Sequence, residues 1–245
     1  VKSVQVYDLP IRIFHWVFAI CFILSFSIAK IVDDESIVYA IHMLSGLMMT
    51  FLVILRCLWG FFGSDYSTFK SMPLQLNSFF LYFKNITKKS VHQHVGHNPA
   101  SSWLLVSMGV LTLFMTLTGV MMLLKINKHI VEDLHEVFSH LFLALVILHI
   151  LGLLVHSLKF KDQIYNSMFS GKKNVANELE VKKVKHHFVV GYVFLFLILS
   201  FAGYLYKNFD QQSGTLSILS YKLPMVEVED ENNEVETDEH SEGED

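Results

Sequence analysis

Apolar residues fall into five long runs separated by polar connections. The runs cover about Ile11–Ala29, Ile37–Phe62, Ser101–Leu124, Val131–Leu158 and Phe188–Tyr206. Each approaches or exceeds the ~20 residues that a helix needs to cross a hydrocarbon core of about 30 Å. Lipid offers no partner to a bare backbone, so the helix is the natural spanning form. The pattern predicts an all-α integral membrane bundle with five transmembrane helices. In the connection between the second and third runs, Leu76, Phe79, Phe80 and Phe83 recur at helical spacing among Gln75, Asn77 and Lys84. That spacing predicts an amphipathic helix lying along the membrane surface. Asn98-Pro99 reads as a helix start, with Asn as the cap and Pro in the first turn.

Composition agrees: 52% of the 245 residues are hydrophobic and 17% are charged, against about 25% charged in soluble domains. The first run has no small-residue cleavage site after it and holds His15, so it reads as a retained span rather than a signal peptide. Lysines concentrate in two connections, at 70–89 and 159–185, and Lys2 and Arg12 precede or open the first span. The positive-inside rule therefore places the N-terminus in the cytoplasm. Five spans then put the C-terminus on the far side, periplasmic if the membrane is a bacterial inner one. Eleven of the 23 acidic residues lie between Glu227 and Asp245, where there is no Lys or Arg. This acidic segment has disorder as its default from about Met225. It either solvates the chain end or attracts a basic redox partner. Three units result: residues 1–175 as the main membrane domain, 176–210 as a fifth helix with a basic lead-in, and 211–245 as an acidic, disordered tail.

Chemistry enters with histidine. His135 and His149 are fourteen residues apart in the fourth run. At about 100° per residue they share nearly one face, separated by about 21 Å along the axis. His15 enters early in the first span and His42 early in the second, so their depths match His149 and His135 respectively. Two imidazoles at each of two depths predict two axially ligated haems stacked across the membrane, each iron taking one histidine from either side. Gly46 lies one turn beyond His42, where a missing side chain admits a flat macrocycle. Arg12 lies about one turn before His15. Arg56 shares the face of His42 but sits at the inner end of its helix. Both arginines are candidate partners for haem propionates, or else interfacial anchors. Depth alone also lets His156 compete with His149 for His15.

Other reactive residues carry less. His92, His94 and His97 cluster in a loop as a weak metal-site candidate without accompanying carboxylate or Cys. Cys21 and Cys57 lie in different runs, and no CxxCH occurs, so neither a disulfide framework nor covalent haem attachment is expected. Nothing in the charge pattern points to nucleic acid. The rival class is a transporter whose histidines relay protons or bind a metal ion. Such transporters often carry broken, Gly/Pro-interrupted spans, whereas here Pro10 and Pro99 sit at helix starts.

The segments Tyr7–Trp16 (YDLPIRIFHW), Ile41–Gly46 (IHMLSG), Leu55–Phe69 (LRCLWGFFGSDYSTF), Gly96–Trp103 (GHNPASSW), Leu134–Gly152 (LHEVFSHLFLALVILHILG) and Phe169–Lys173 (FSGKK) resemble the bacterial cytochrome b561 / nickel-hydrogenase b-type cytochrome family. The resemblance covers about residues 4–175. It implies a four-helix haem-binding core with two non-covalent b-type haems, ligated by His15 with His149 (inner) and His42 with His135 (outer), and so prefers His149 to His156. It also implies electron transfer between the quinone pool, with quinone as substrate, and a partner redox protein such as a c-type cytochrome or a hydrogenase-like subunit. The chain would then be an electron-transfer component in the lipid of the inner membrane rather than a stand-alone enzyme. The fifth helix and the acidic tail lie outside the matching part.

Overall fold

The computed structural model describes residues 2–85, 94–182, 184–218 and 221–226. Within them, a short strand β1 (Lys2–Gln5) leads into α1 (Leu9–Ile31), then α2 (Ala40–Phe62), α3 (Leu76–Asn85), α4 (Pro99–Leu123), α5 (Lys128–Phe160) and the single turn α6 (Ser167–Ser170). Strand β2 (Lys172–Val175), α7 (Phe188–Asn208) and strands β3 (Phe209–Asp210), β4 (Thr215–Ile218) and β5 (Tyr221–Pro224) follow. Helices α1, α4, α5 and α7, with the stretch Ile37–Phe62, are long and apolar enough to cross a membrane. These are the five spans predicted from hydropathy, and α3 is the predicted amphipathic helix. Its Leu76 and Phe80 are exposed, as an interfacial helix requires.

Local chemistry sets the helix starts. Asp8 caps α1 by accepting from the Ile11 N–H at 3.2 Å, with Pro10 in the first turn. Asn98 caps α4 by accepting from the Ser101 N–H at 2.8 Å, with Pro99 opening the helix. The close helix pairs are α1 with α2, α4 with α5, and α2 with α4, while α7 lies against α1 and α2 and α3 against α4. Side chains such as Ile20, Ile23, Leu117, Phe196 and Leu199 point outward, the large apolar surface expected of a lipid-facing exterior.

Each end of the bundle carries a small sheet. At one end β1 pairs antiparallel with β2, Lys2 opposite Val175 and Gln5 opposite Lys172. Gly171 precedes β2 with φ +76°, and a Cβ there would lie 2.7 Å from the Tyr7 carbonyl oxygen. Only glycine fits, and its own carbonyl accepts from the N–H groups of Val6 (2.9 Å) and Tyr7 (3.1 Å). Under this sheet lies a buried ionic cluster. Asp162 accepts from Lys173 Nζ at 3.2 Å and meets His156 Nε2 at 2.8 Å, and Lys173 Nζ also donates to the His94 carbonyl at 2.8 Å. Burial pulls the Lys173 ammonium below its ordinary range while Asp162 opposes this. Burial and the Asp162 charge together push Tyr7 up to about 12.

At the opposite end β3, β4 and β5 form an antiparallel sheet in chain order. Assigning everything from 211 onward to a disordered tail is therefore corrected: residues 211–218 and 221–226 are folded, because Leu216 and Met225 are completely buried. Residues 227–245, the acidic remainder, lie outside the described residues.

Candidate functional site

The second and fourth predicted spans bring the rings of His42 and His135 together near the end that carries β3–β5. Their ring centroids are 6.2 Å apart with the planes at 70°. Each ring is gripped from behind. His42 Nδ1 lies 2.9 Å from both the carbonyl and the hydroxyl oxygen of Ser25 on α1. His135 Nδ1 lies 2.9 Å from the hydroxyl of Thr118 on α4. That hydroxyl also lies 3.0 Å from the carbonyls of Phe114 and Met115. Sequence reasoning missed both partners.

The spacing has a chemical meaning. Two imidazoles that bind one metal ion from opposite sides, each through a bond of about 2 Å, hold their centres roughly 6 Å apart. Gly46, one turn along α2 from His42, has no atom within 4 Å of the position a Cβ would take. Open space therefore lies one helical turn from His42. A Cβ on Gly119 of α4 would lie 3.8 Å from His135 Cε1, so that glycine fronts the same imidazole.

Nearer the β1 end, His15 and His149 stand within electrostatic range of one another. The His15 ring meets Trp16 edge-on at 5.2 Å, and its Nδ1 is buried with no hydrogen-bond partner among the described residues. Gly152, one turn past His149, also faces open space. His156 turns its Nε2 to Asp162 at 2.8 Å, while its Nδ1 is buried with no hydrogen-bond partner among the described residues.

Phe142 lies between the two levels, seven residues from His135 and seven from His149, and is 1% exposed. Its ring packs at 5.1 Å on Phe22 and 6.2 Å on Phe18, both on α1. The signal was present in the sequence: histidine, phenylalanine and histidine at 135, 142 and 149 mark one helical face.

The two arginines differ. Arg56 is 6% exposed, with its guanidinium 5.5 Å above the Phe69 ring. Its Nη1 is buried with no hydrogen-bond partner among the described residues. Arg12 donates from Nε to the Met168 carbonyl at 3.3 Å and from Nη2 to the Phe169 carbonyl. Asp8 accepts from Trp59 Nε1 (3.1 Å), Ser64 (2.5 Å) and Ser67 (3.0 Å), tying the start of α1 to the end of α2. Trp59 is therefore both buried and hydrogen-bonded.

His97 packs edge-on against Tyr7 at 5.9 Å. Burial, then the charges of Arg56 and Lys173, pushes it down to about 4. His92, the third member of the loop cluster, lies outside the described residues. Among the described residues no group of three or more His, Cys, Asp or Glu side chains is placed to hold a metal ion by itself.

Fold and site thus define a multi-pass helical membrane protein with facing imidazoles inside its apolar body. The family model described as prokaryotic cytochrome b561 matches residues 6–171, and the chain belongs to that family. It is a membrane b-type cytochrome that works in electron transfer. No curated protein and no solved structure matches the chain.

Proposed function

We propose that this chain carries electrons across a bacterial inner membrane, between the quinone pool and a partner redox protein, through two non-covalent b-type haems. His42 and His135 hold one haem and His15 and His149 the other. The observation that carries this reading is the facing of His42 and His135 at 6.2 Å, with open space beside Gly46. Bound haem would supply a one-electron iron couple at each level. The chain's residues do the rest. The four imidazoles offer nitrogen ligands from three helices, and Gly46 leaves room for the macrocycle. Arg56 offers a buried, unsatisfied N–H (Nη1) to a propionate, since an unpaired buried donor is costly. Arg12 offers the donors that the carbonyls of Met168 and Phe169 leave free. The apolar body excludes water from both levels. The lysine distribution supports a cytoplasmic β1 end and a periplasmic acidic C-terminus, the side on which a c-type cytochrome or hydrogenase-like subunit would dock.

The test is haem counting in the purified full-length protein. Pyridine haemochrome should give two haems per chain and a b-type α band. His42→Ala or His135→Ala should each lose mainly one haem, and His15→Ala or His149→Ala the other. Colourless protein made with ample haem supply, or single variants that all keep two haems, would defeat the proposal.

A further inference from the structure

His42 and His135 differ from His15 in what stands behind the ring. A carbonyl oxygen only accepts, so the 2.9 Å contact between His42 Nδ1 and the Ser25 carbonyl puts the ring proton on Nδ1. The Thr118 hydroxyl has one proton, and two carbonyls of its own helix lie 3.0 Å away to receive it. Its remaining lone pair therefore accepts from His135 Nδ1 at 2.9 Å. Both rings are fixed as the Nδ1–H tautomer, and both keep the Nε2 lone pair for a metal. Ser25 and Thr118 are buried, so water does not compete for these bonds. His15 has no such support: its Nδ1 is buried without a partner among the described residues.

We infer that Ser25 and Thr118 are positioning residues that orient His42 and His135 through Nδ1 and lower the reduction potential of the haem held at that level. The inference rests on the proposed ligation by these histidines. An acceptor on the far ring nitrogen raises the basicity of a metal-bound imidazole. A more basic ligand donates more charge to iron, which favours the ferric state and lowers the potential. A purely structural role is a poorer account. Helix-buried hydroxyls usually turn back to their own carbonyls, as Thr112 does to Met108 at 2.9 Å. The Ser25 hydroxyl instead reaches across to the carbonyl and ring of His42, on another helix.

Thr118→Val removes the hydroxyl acceptor and keeps the volume, leaving only the Met115 carbonyl, which also accepts from the His135 ring. In full-length protein with two haems per chain, potentiometric titration of the α band should show one midpoint moved upward and the other unchanged. Thr118→Ser should restore the wild-type value. Ser25→Ala, which keeps the backbone carbonyl, should move the same midpoint by less. The moved midpoint should be the one that survives in His149→Ala. Thr118→Ala replaces the valine variant if that one does not accumulate. Two haems with both midpoints unmoved in the Thr118 variants would overturn the inference and leave ligation standing. Retention of both haems in His135→Ala would instead bring down the ligation itself.

Discussion

Replacing Phe142 by alanine removes the ring that holds α5 against α1 between the two histidine levels. Lipid is the alternative environment for an apolar side chain here, so the transfer part of the usual penalty shrinks and the void dominates. A ring-sized cavity of about 100 Å³ at ~24 cal/mol per Å³ costs about 2.4 kcal/mol. For a chain of this length each kcal/mol moves the melting temperature by about 2–4 °C, which gives a shift of roughly 5–10 °C. Thermal unfolding of the detergent-solubilised protein, followed by helix circular dichroism and by the Soret band, measures it. Because the ring is seven residues from both His135 and His149, both of the proposed haems should loosen together, unlike the one-haem losses expected of the ligand variants. Phe142→Leu should fall between alanine and wild type. An alanine variant that melts within about 2 °C of wild type, with both haems at full content, would refute the role given to this side chain.

The cluster under the β1–β2 sheet gives a second expectation. Asp162→Ala leaves the buried Lys173 without its counter-charge and should cost about 3–5 kcal/mol, seen as a lower melting temperature, whereas Asp162→Ala with Lys173→Met should recover most of that loss. His97 gives a pH dependence. Its pKa is held at about 4 in the fold against 6.5 ordinarily, so the unfolded chain binds more protons between those values and stability rises with pH. The contribution is fully present above pH 6.5 and is lost as pH falls toward 4, on the order of 3 kcal/mol at ~1.36 kcal/mol per unit. His97→Gln should flatten the acid side of a melting-temperature profile; an unchanged slope would mean that other groups set it.

The spans and the depth-matched histidines were legible because both follow from periodicity. An apolar run declares a membrane helix, and fourteen residues return a side chain to the same face. Ser25 and Thr118 were not legible. A hydroxyl within an apolar run satisfies itself on its own helix as readily as on a neighbour, and only packing brings Ser25 to His42 and Thr118 to His135. Arg56 was legible as a cation at a helix end, but its burial over Phe69 needed the fold. Strand β1 escaped because four residues carry little pattern and the partner strand lies about 170 positions away. The folded stretch at 211–226 escaped because its acidic sequel dominated the composition, although Leu216 and Met225 offered an apolar anchor. The pairing of His156 with Asp162 was likewise a tertiary fact, six residues apart across a helix end.

The join between Lys2–Gln5 and Lys172–Val175 has a consequence for biogenesis. Strand Lys2–Gln5 has no partner until residue 175 has been made, many seconds later at about 5–20 residues per second. By the end of that interval α1, α2, α4 and α5 have all been made, while the clasp at their base is still undone. Strand β2 can therefore close the clasp only after every helix that bears or supports the four histidines has left the ribosome.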